Sequence, residues 1–153
     1  MKLEKVLIYR LTKMRGPLAD TTGSPHGDHQ YWEMTAGTLT DGAGLHAHLA
    51  LPGGDWMRVS SDGYWRPNVR VQFVTDDNVT ILMHYTGVVE QTATFKTAAT
   101  NSKATSWGDQ YMRMHVHFET GSGAYDWLNK SIFIARGRLL PGNQIEYEIY
   151  RVT

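Results

Sequence analysis

The stretch QYMRMHVHFE, from Gln110 to Glu119, alternates between apolar and polar side chains. Successive side chains of a β-strand point to opposite faces of its sheet. One face of this strand would carry the apolar residues Met112, Met114, Val116 and Phe118. The other face would carry the polar residues Tyr111, Arg113, His115, His117 and Glu119. The alternation predicts a half-buried strand whose polar face is either a functional site or the solvated side of a sheet.

Eight further segments have the composition of strands and are separated by Gly, Pro, Asn and Asp residues. They are Lys5–Leu11, Tyr31–Thr40, Gly44–Leu51, Asp55–Ser60, Val69–Thr75, Val79–Val89, Ser131–Leu140 and Ile145–Val152. Helix is scarce: Gln91–Thr100 could be a short helix or a mobile loop, and Tyr125–Asn129 a single helical turn. Since closure removes exposed sheet edges, the pattern predicts an all-β fold, an antiparallel β-barrel of about 8–10 strands with little helix.

The longest polar stretch of the chain, Leu11–Gln30, exceeds the length of an ordinary connection between strands. A lid or binding loop is one interpretation of this stretch, and a solvated surface loop is the other. No internal repeat or long linker divides the sequence. We therefore expect residues 1–153 to form a single β-barrel domain.

Charge and cysteine content exclude several classes of protein. The 153 residues include 15 basic and 15 acidic side chains, so no overall field attracts nucleic acid or an anionic membrane. The chain has no cysteine, which excludes disulfides, zinc–thiolate centres and thiol nucleophiles. The N-terminal MKLEKVLIYRLTK is too charged for a signal peptide, and no run of about 18 apolar residues could span a membrane. These features predict a soluble, cytoplasmic protein.

Several short motifs occur together along the chain: LPGGDW at Leu51–Trp56, HYTG at His84–Gly87, FETG at Phe118–Gly121 and YDWLN at Tyr125–Asn129. They are followed by SIFIARGR and IEYEIYRV near the end of the sequence. Over nearly the whole chain, this set resembles domain-of-unknown-function family 3237. The resemblance implies a small single-domain β-barrel. It also implies small-molecule or secondary metabolism, where such barrels suit proton-transfer, cyclisation or lyase chemistry.

The chain departs from the family pattern in three places. The family commonly carries arginines after a Pro-x-Gly near the N-terminus, where this chain has PHGDHQYW at Pro25–Trp32. The family also has an Asp two residues before a strand arginine, where Asn68 here precedes Arg70. The His-x-His pairs, His46/His48 and His115/His117, do not belong to the family pattern. Their role must therefore be judged from their own chemistry.

Three interpretations of the paired histidines are open. Two facing pairs with Glu119 could bind a transition metal, as cupin barrels do with His-x-His and a carboxylate. However, cupins place an acidic residue a few positions after the first pair, and this chain has none before Asp55. Histidine can also exchange protons near neutral pH, and His117 shares its strand face with Glu119. The third interpretation is a solvated sheet face. We favour acid–base chemistry or polar binding, without a metal.

Other candidate residues belong to the recognised motifs. Asp55 and Trp56 follow two glycines, which let the backbone approach a ligand closely. Tyr85 shares a strand face with apolar residues, so we expect its hydroxyl to point inward. The guanidinium of Arg70 could hold a carboxylate or phenolate. The sequence has no Gly-x-Ser-x-Gly elbow, phosphate-binding glycine loop or Rossmann fingerprint, so we expect no nucleotide cofactor.

Together these features suggest a cofactor-independent enzyme that moves protons in an isomerisation, cyclisation, addition or elimination on a small aromatic or polyketide-like substrate. The predicted catalytic residues are Asp55, Tyr85, His117 and Glu119. The predicted substrate-binding residues are Trp56, Arg70, His48, His115, Trp127 and Asn129. The alternatives are a non-catalytic small-molecule binding barrel and a metal-dependent cupin-like enzyme. The expected partner is a small molecule, not nucleic acid or a membrane. Small barrels often pair, so a homodimer is a further expectation.

Overall fold

Ten antiparallel strands form a closed barrel in the computed structural model, which describes residues 1–41, 44–121 and 123–153. The strands are β1 (Leu3–Thr21), β2 (Asp28–Thr40), β3 (His46–Leu49), β4 (Gly53–Val59), β5 (Tyr64–Arg66), β6 (Asn68–Thr75), β7 (Thr80–Glu90), β8 (Met112–Thr120), β9 (Ile132–Leu140) and β10 (Gln144–Val152). Helix α1 (Ala93–Thr100) follows β7, and a 3₁₀ helix (Gly123–Leu128) follows β8. The predicted all-β barrel with little helix is confirmed.

The barrel closes because β1 pairs with β10 on one side and with β2 on the other. From β10 the order continues through β9, β8 and β7. The remaining wall is shared by shorter strands: β7 pairs with β5 and β6, and β2 pairs with β3 and β4. Strand β6 joins these two groups by pairing with both β3 and β4. Among the described residues, each strand of this ring pairs with at least two other strands.

The polar stretch Leu11–Gln30 is largely a long hairpin, so the expectation of an irregular loop is wrong. Its residues 11–16 line the cavity described below, and a role as a lid stays a prediction. Strand β1 continues to Thr21, and β2 begins at Asp28. The paired ends, such as Leu18 with Tyr31, contain several register shifts. Most residues at the end of β1 are exposed on both faces. The apolar–polar alternation that marks a half-buried strand is therefore missing from this segment.

The shorter elements follow their local chemistry. Helix α1 forms within the predicted Gln91–Thr100 segment, and the Thr92 hydroxyl caps it by accepting a hydrogen bond from the Phe95 N–H at 3.1 Å. The predicted helical turn at Tyr125–Asn129 overlaps the 3₁₀ helix, which ends at Leu128. Strand β5 is absent from the sequence prediction because three residues are too short to show a period. Within the described residues, no helix has the length and apolar character needed to cross a bilayer.

The core consists of the inward-pointing side chains of every long strand. In β8 the apolar residues Met112, Met114, Val116 and Phe118 are buried, as the alternation predicts. Tyr9 and Phe73 meet at the centre of the core with ring centroids 5.4 Å apart. Full burial of one such side chain is worth about 1.5–3 kcal/mol relative to exposure. The polar face of β8 therefore lies on the outside of the barrel.

One glycine allows β7 and β8 to pair closely. Gly87 is the partner of Met114, and a Cβ at residue 87 would overlap the carbonyl oxygen of Arg113 and the sulfur of Met114. The carbonyl oxygen belongs to the backbone, so it cannot move aside without disturbing the strand. Any side chain larger than hydrogen is therefore excluded from this position.

We expect Gly87→Ala to lower the free energy of unfolding by about 1–3 kcal/mol, because it overpacks a well-fitted strand pair. The matched control is Gly108→Ala, since a Cβ at residue 108 has no heavy atom within 4 Å. Urea denaturation of both variants measures the difference. Equal midpoints for the two variants would contradict the close pairing described here.

Candidate active site

The candidate active site is a cavity of about 720 Å³ in the barrel. Its buried polar groups are the carboxyl of Asp55 and the hydroxyls of Tyr85 and Tyr147. The more exposed polar residues on its wall are Thr12, Lys13, Arg15, Thr35 and Asn143. Aromatic and sulfur-containing side chains form much of the wall, namely Trp32, Trp65, Phe95, Met34, Met57 and Met112. Concave apolar sites with a few convergent polar groups are typical of small-molecule binding. The cavity is therefore suited to a mostly apolar ligand that carries one or two oxygen atoms.

Two glycines turn Asp55 toward this cavity. A Cβ at Gly53 would overlap the Val71 side chain and lie 2.7 Å from the carbonyl oxygen of Arg70. Because Gly53 has no side chain, the start of β4 packs directly against β6, where Gly54 pairs with Arg70. A Cβ at Gly54 would instead overlap the Tyr31 ring. Asp55 is the next residue, and its side chain points inward with only 7% of its surface exposed. The PGGDW motif thus places a carboxyl group inside the barrel.

The surroundings of Asp55 keep its carboxyl close to neutrality. Burial raises the pKa of Asp55 to about 6, although a hydrogen bond from the Asn68 N–H acts in the opposite direction. That N–H donates to Asp55 Oδ1 at 2.9 Å. A carboxyl group with a pKa close to neutral pH can both accept and return a proton. Asp55 therefore has the properties of a general acid–base group.

Three buried tyrosines, on β1, β7 and β10, lie close together in the interior. The ring centroids of Tyr85 and Tyr147 are 5.5 Å apart, and Tyr9 stacks on Tyr147 at 5.6 Å. Burial raises the pKa of all three phenols well above their ordinary value, and the charge of Asp55 acts in the same direction. They therefore stay protonated at neutral pH. Neutral phenols in an apolar site are hydrogen-bond donors for an oxygen that gains negative charge.

Tyr9 lies behind the other two phenols. Its hydroxyl is buried and has no hydrogen-bond partner among the residues that the structure describes. A small void of about 10 Å³ is lined by Tyr9, Tyr85 and Tyr147. This volume is close to the minimum needed for one water molecule. Tyr9 therefore supports the two cavity tyrosines from the core and does not line the main cavity.

Two predicted catalytic residues meet in the cavity and two do not. Asp55 and Tyr85 line its wall. His117 and Glu119 lie on the exterior of β8, with the sheet between them and the cavity. The reason is the two-residue period: the inward positions of β8 are occupied by Val116 and Phe118. The four residues therefore cannot act on one substrate atom.

The predicted substrate-binding residues also lie outside the cavity. Trp56 follows Asp55 and so points outward; it is 54% exposed and packs on the Tyr31 ring at 5.2 Å. Trp127 packs against Phe133 at 5.9 Å. Asn129 is held by the backbone of Thr120, to which its side chain both donates and accepts hydrogen bonds. The others, Arg70, His48 and His115, are exposed strand residues.

The two His-x-His pairs do not face each other. Strands β6 and β7 lie between β3, which carries His46 and His48, and β8, which carries His115 and His117. His46 Nδ1 instead lies 3.2 Å from Asp76 Oδ1. In the described part of the chain, no three His, Cys, Asp or Glu side chains are grouped closely enough to hold a metal. The facing arrangement that a cupin-like centre needs is therefore absent from these residues.

Tyr147, Trp32 and Trp65 line the cavity but are missing from the sequence prediction. For Tyr147 a signal exists, because its segment reads IEYEIYRV and Tyr147 alternates with Ile145 and Ile149. That alternation places the tyrosine on the apolar, inward face. The two tryptophans give no comparable signal, since their positions depend on how β2 and β5 pair with β4.

The family model described as a protein of unknown function (DUF3237) matches residues 3–152. The chain belongs to the DUF3237 family. No curated protein matches the chain. Among solved structures, the DUF3237 barrel is similar to a conserved protein of unknown function from Rhodopseudomonas palustris, with a TM-score of 0.84 at 15% identity over 100% of this chain and 99% of that one. The resemblance inferred from the motifs is confirmed.

Two further crystal structures share this DUF3237 fold. A β-barrel-like protein from Acinetobacter baumannii has a TM-score of 0.78 and 23% identity, covering 99% of this chain and 96% of its own. A protein described as an enzyme from Penicillium herquei has a TM-score of 0.68 and 18% identity, covering 99% of this chain and 94% of its own. At these identities the similarity shows the fold.

We expect Asp55→Asn to stabilise the protein at about pH 8 by up to about 3 kcal/mol, because the amide avoids burying a charge while still accepting the Asn68 N–H. The folded carboxyl keeps its proton up to about pH 6, whereas its ordinary pKa is 3.8. Its contribution to stability is therefore fully present below the ordinary pKa and is lost as the pH rises through about 6.

Urea denaturation of the Asp55→Asn variant and of the unsubstituted protein between about pH 4 and pH 8 measures this effect. The gain should be large at the alkaline end and small at the acidic end. Asp20→Asn, at an exposed position of β1, is the matched control and should show no such gain. A pH-independent difference for Asp55→Asn would contradict the perturbed pKa.

Proposed function

We propose that this protein is a cofactor-independent enzyme that catalyses proton transfer on a small aromatic or polyketide-like molecule bound in the barrel cavity. The observation that carries the proposal is a single buried carboxyl, with its pKa raised to about 6, in the same apolar cavity as two neutral phenols. A general base and oxyanion donors are the two parts that such a reaction requires. Isomerisation, cyclisation, addition and elimination all use this pair.

In the proposed reaction the Asp55 carboxylate accepts a proton from a C–H or O–H group of the substrate. The electrons left behind move onto a conjugated oxygen, which becomes an enolate or phenolate. The hydroxyl of Tyr85 or Tyr147 donates a hydrogen bond to that oxygen and stabilises its charge. Protonated Asp55 then returns the proton to another atom of the substrate, so that no external acid or base is consumed.

The walls of the cavity support an aromatic substrate. Trp32 and Trp65 offer flat surfaces, and the sulfur-containing side chains of Met34, Met57 and Met112 are adaptable. The volume of about 720 Å³ is within the range of cavities that enclose small organic ligands.

Two further observations support an enzymatic and cytoplasmic role. The structural neighbour from Penicillium herquei is described as an enzyme, which supports catalysis on this fold. The class of enzyme that we propose is an isomerase, cyclase or lyase of secondary metabolism. The absence of cysteine is compatible with a reducing compartment. We therefore propose a cytoplasmic enzyme whose partner is a small-molecule substrate.

The test uses solvent deuterium, because reversible proton transfer exchanges a substrate hydrogen for deuterium whichever product is formed. A panel of aromatic 1,3-diketones and ortho-alkenyl phenols is incubated with the protein in D₂O and followed by NMR. We expect Asp55→Asn to lower the exchange rate by about 10²–10⁴-fold, the usual contribution of a general base. Tyr85→Phe or Tyr147→Phe should lower it by about 10–10³-fold, the usual loss of one oxyanion donor.

The matched controls are Asp20→Asn and Tyr111→Phe, which make the same changes at exposed positions and should leave the rate unchanged. Quenching of tryptophan fluorescence by 2-naphthol measures ligand binding in parallel. The non-catalytic binding barrel would be favoured by two results together: no exchange in the unsubstituted protein or any variant, and binding of 2-naphthol that is kept in Asp55→Asn. Equal rates in the Asp55 variant and its control would contradict the proposed base.

We further expect the acid side of the pH profile to report Asp55. The base must be ionised to accept a proton, so kcat/KM should fall about tenfold for each pH unit below about 6. The phenols should add no alkaline decline near neutral pH, because their pKa values are raised. Initial exchange rates between about pH 4 and pH 9 measure the profile. A flat profile through about pH 6 would contradict the assignment.

A further inference from the structure

A second concave region lies on the outside of the barrel, across strands β6, β7 and β8. This exterior groove has a volume of about 920 Å³. One row of side chains crosses it, because Arg70 is the strand partner of His84, and His84 is the partner of His117. Side chains at such paired positions are about 4.5–5.5 Å apart at their Cβ atoms. The groove therefore brings one guanidinium and two imidazoles together, with the sheet separating them from Asp55.

Arg70 differs from the other arginines of the protein. Eight of the nine donate hydrogen bonds or form ion pairs. Within the described ranges, Arg70 alone has no such partner. Its strand neighbours supply none, since Gly54 and His84 lie on either side of it. The guanidinium thus faces the groove with all of its donors available.

The histidines add hydrogen-bonding groups to the groove. His84 Nε2–H donates to Asn68 Oδ1 at 2.9 Å, which leaves Nδ1 as the position that can take up a proton. The His117 ring lies 6.4 Å from His84 and 4.3 Å from His115. Burial lowers the pKa of His84, and the charges of Arg70, His117 and His115 lower it further. A bound anion would raise the pKa of His84.

The remaining groups around the groove are mostly uncharged. Gln72 on β6 and Leu82 on β7 are neighbours in the next row, and Glu119 on β8 completes that row as a carboxylate. Leu51 and Pro52 form one border of the groove, and Asn129 lies at another. Asp126 on the 3₁₀ helix is paired with Lys130. Glu119 is therefore the one carboxylate that lines the groove among the described residues.

We propose that the exterior groove is a second ligand site, which binds the oxyanion group of a small organic molecule through Arg70, His84 and His117. The planar fork of arginine matches two oxygens of a phosphate or carboxylate. Protonated imidazoles of His84 and His117 donate to the remaining oxygens. The exposed side chains of Leu51 and Leu82 contact the organic part of the ligand. This site is independent of the cavity chemistry.

Binding at this site depends on pH through the histidines. An anion favours the protonated form of a nearby imidazole, so binding is accompanied by proton uptake. Affinity therefore rises as the pH falls through the range in which histidine titrates. Glu119 weakens the site when ionised, because it repels the same anion.

The experiment uses the histidine Cε1–H signals in NMR titrations with sulfate, phosphate and acetate. Sulfate keeps its charge throughout, so its pH dependence reports the protein alone. We expect sulfate to bind about tenfold or more tightly at about pH 6 than at about pH 8 and to raise the pKa of His84, whose signal His84→Asn identifies. Arg70→Gln should weaken binding about tenfold or more, the usual cost of a lost charge-assisted pair. In the free protein it should also raise the pKa of His84.

Arg113→Gln is the matched control, since Arg113 lies on the same face of β8 as His117, but its guanidinium donates a hydrogen bond to the Met112 carbonyl oxygen. It should leave sulfate affinity unchanged, and Glu119→Gln should increase it. Tighter binding of phosphate and sulfate identifies a phosphorylated ligand, and tighter binding of acetate a carboxylate. Absence of binding at about pH 6, or equal affinity in the Arg70 and Arg113 variants, would overturn the proposal.

Discussion

Pairing between β1 and β2 closes the sheet, and this closure decides which side of every strand faces water. In an open sheet both faces could be covered or exposed in different places. In a closed barrel of this size one face of each strand is interior and the other is exterior. The alternation of side chains then separates two groups of residues: the Asp55 carboxyl and the Tyr85 and Tyr147 phenols inside, and Arg70, His84 and His117 outside.

Burial of the Asp55 carboxyl destabilises the folded protein when the group is ionised, and the rest of the barrel must offset this loss of stability. A carboxyl group in an apolar cavity disfavours its own ionisation, and one backbone hydrogen bond from Asn68 compensates only in part. Phenols can be buried more cheaply, because they remain neutral. A barrel wall with continuous pairing is rigid enough to hold such a destabilised group in place. Stability that is given up at a functional site is a common feature of enzymes.

The predictive power of the sequence differs between the fold and the site. Alternation in Gln110–Glu119 correctly separates the buried face of β8 from its polar face, because that pattern is local. Alternation within one strand does not show whether polar residues of two different strands face the same side of the barrel. The sequence alone therefore places His117 and Asp55 in one site. That question depends on closure, which arises from the pairing of residues far apart in sequence.

The hairpin formed by β1 and β2 is a second feature that the local sequence pattern does not predict. Its outer half has no buried face, so its sequence resembles that of a loop. Hydrogen bonds between the two strands form the structure there, and these depend only weakly on side-chain type. Tyr147, by contrast, carries a clear local signal between Ile145 and Ile149, and the two-residue period is sufficient to place it inside the barrel.

Asn68 makes hydrogen bonds on both sides of the barrel wall. Its backbone N–H reaches Asp55 on the inside, while its side-chain oxygen accepts from His84 on the outside. The family pattern expects an aspartate here. A carboxylate at this position would preserve the inward hydrogen bond, which comes from the backbone, but it would neutralise the arginine two residues along and the neighbouring imidazole. With asparagine at this position the inward hydrogen bond is kept, and the outer surface carries no carboxylate at residue 68 that would compete with an anion in the proposed groove site.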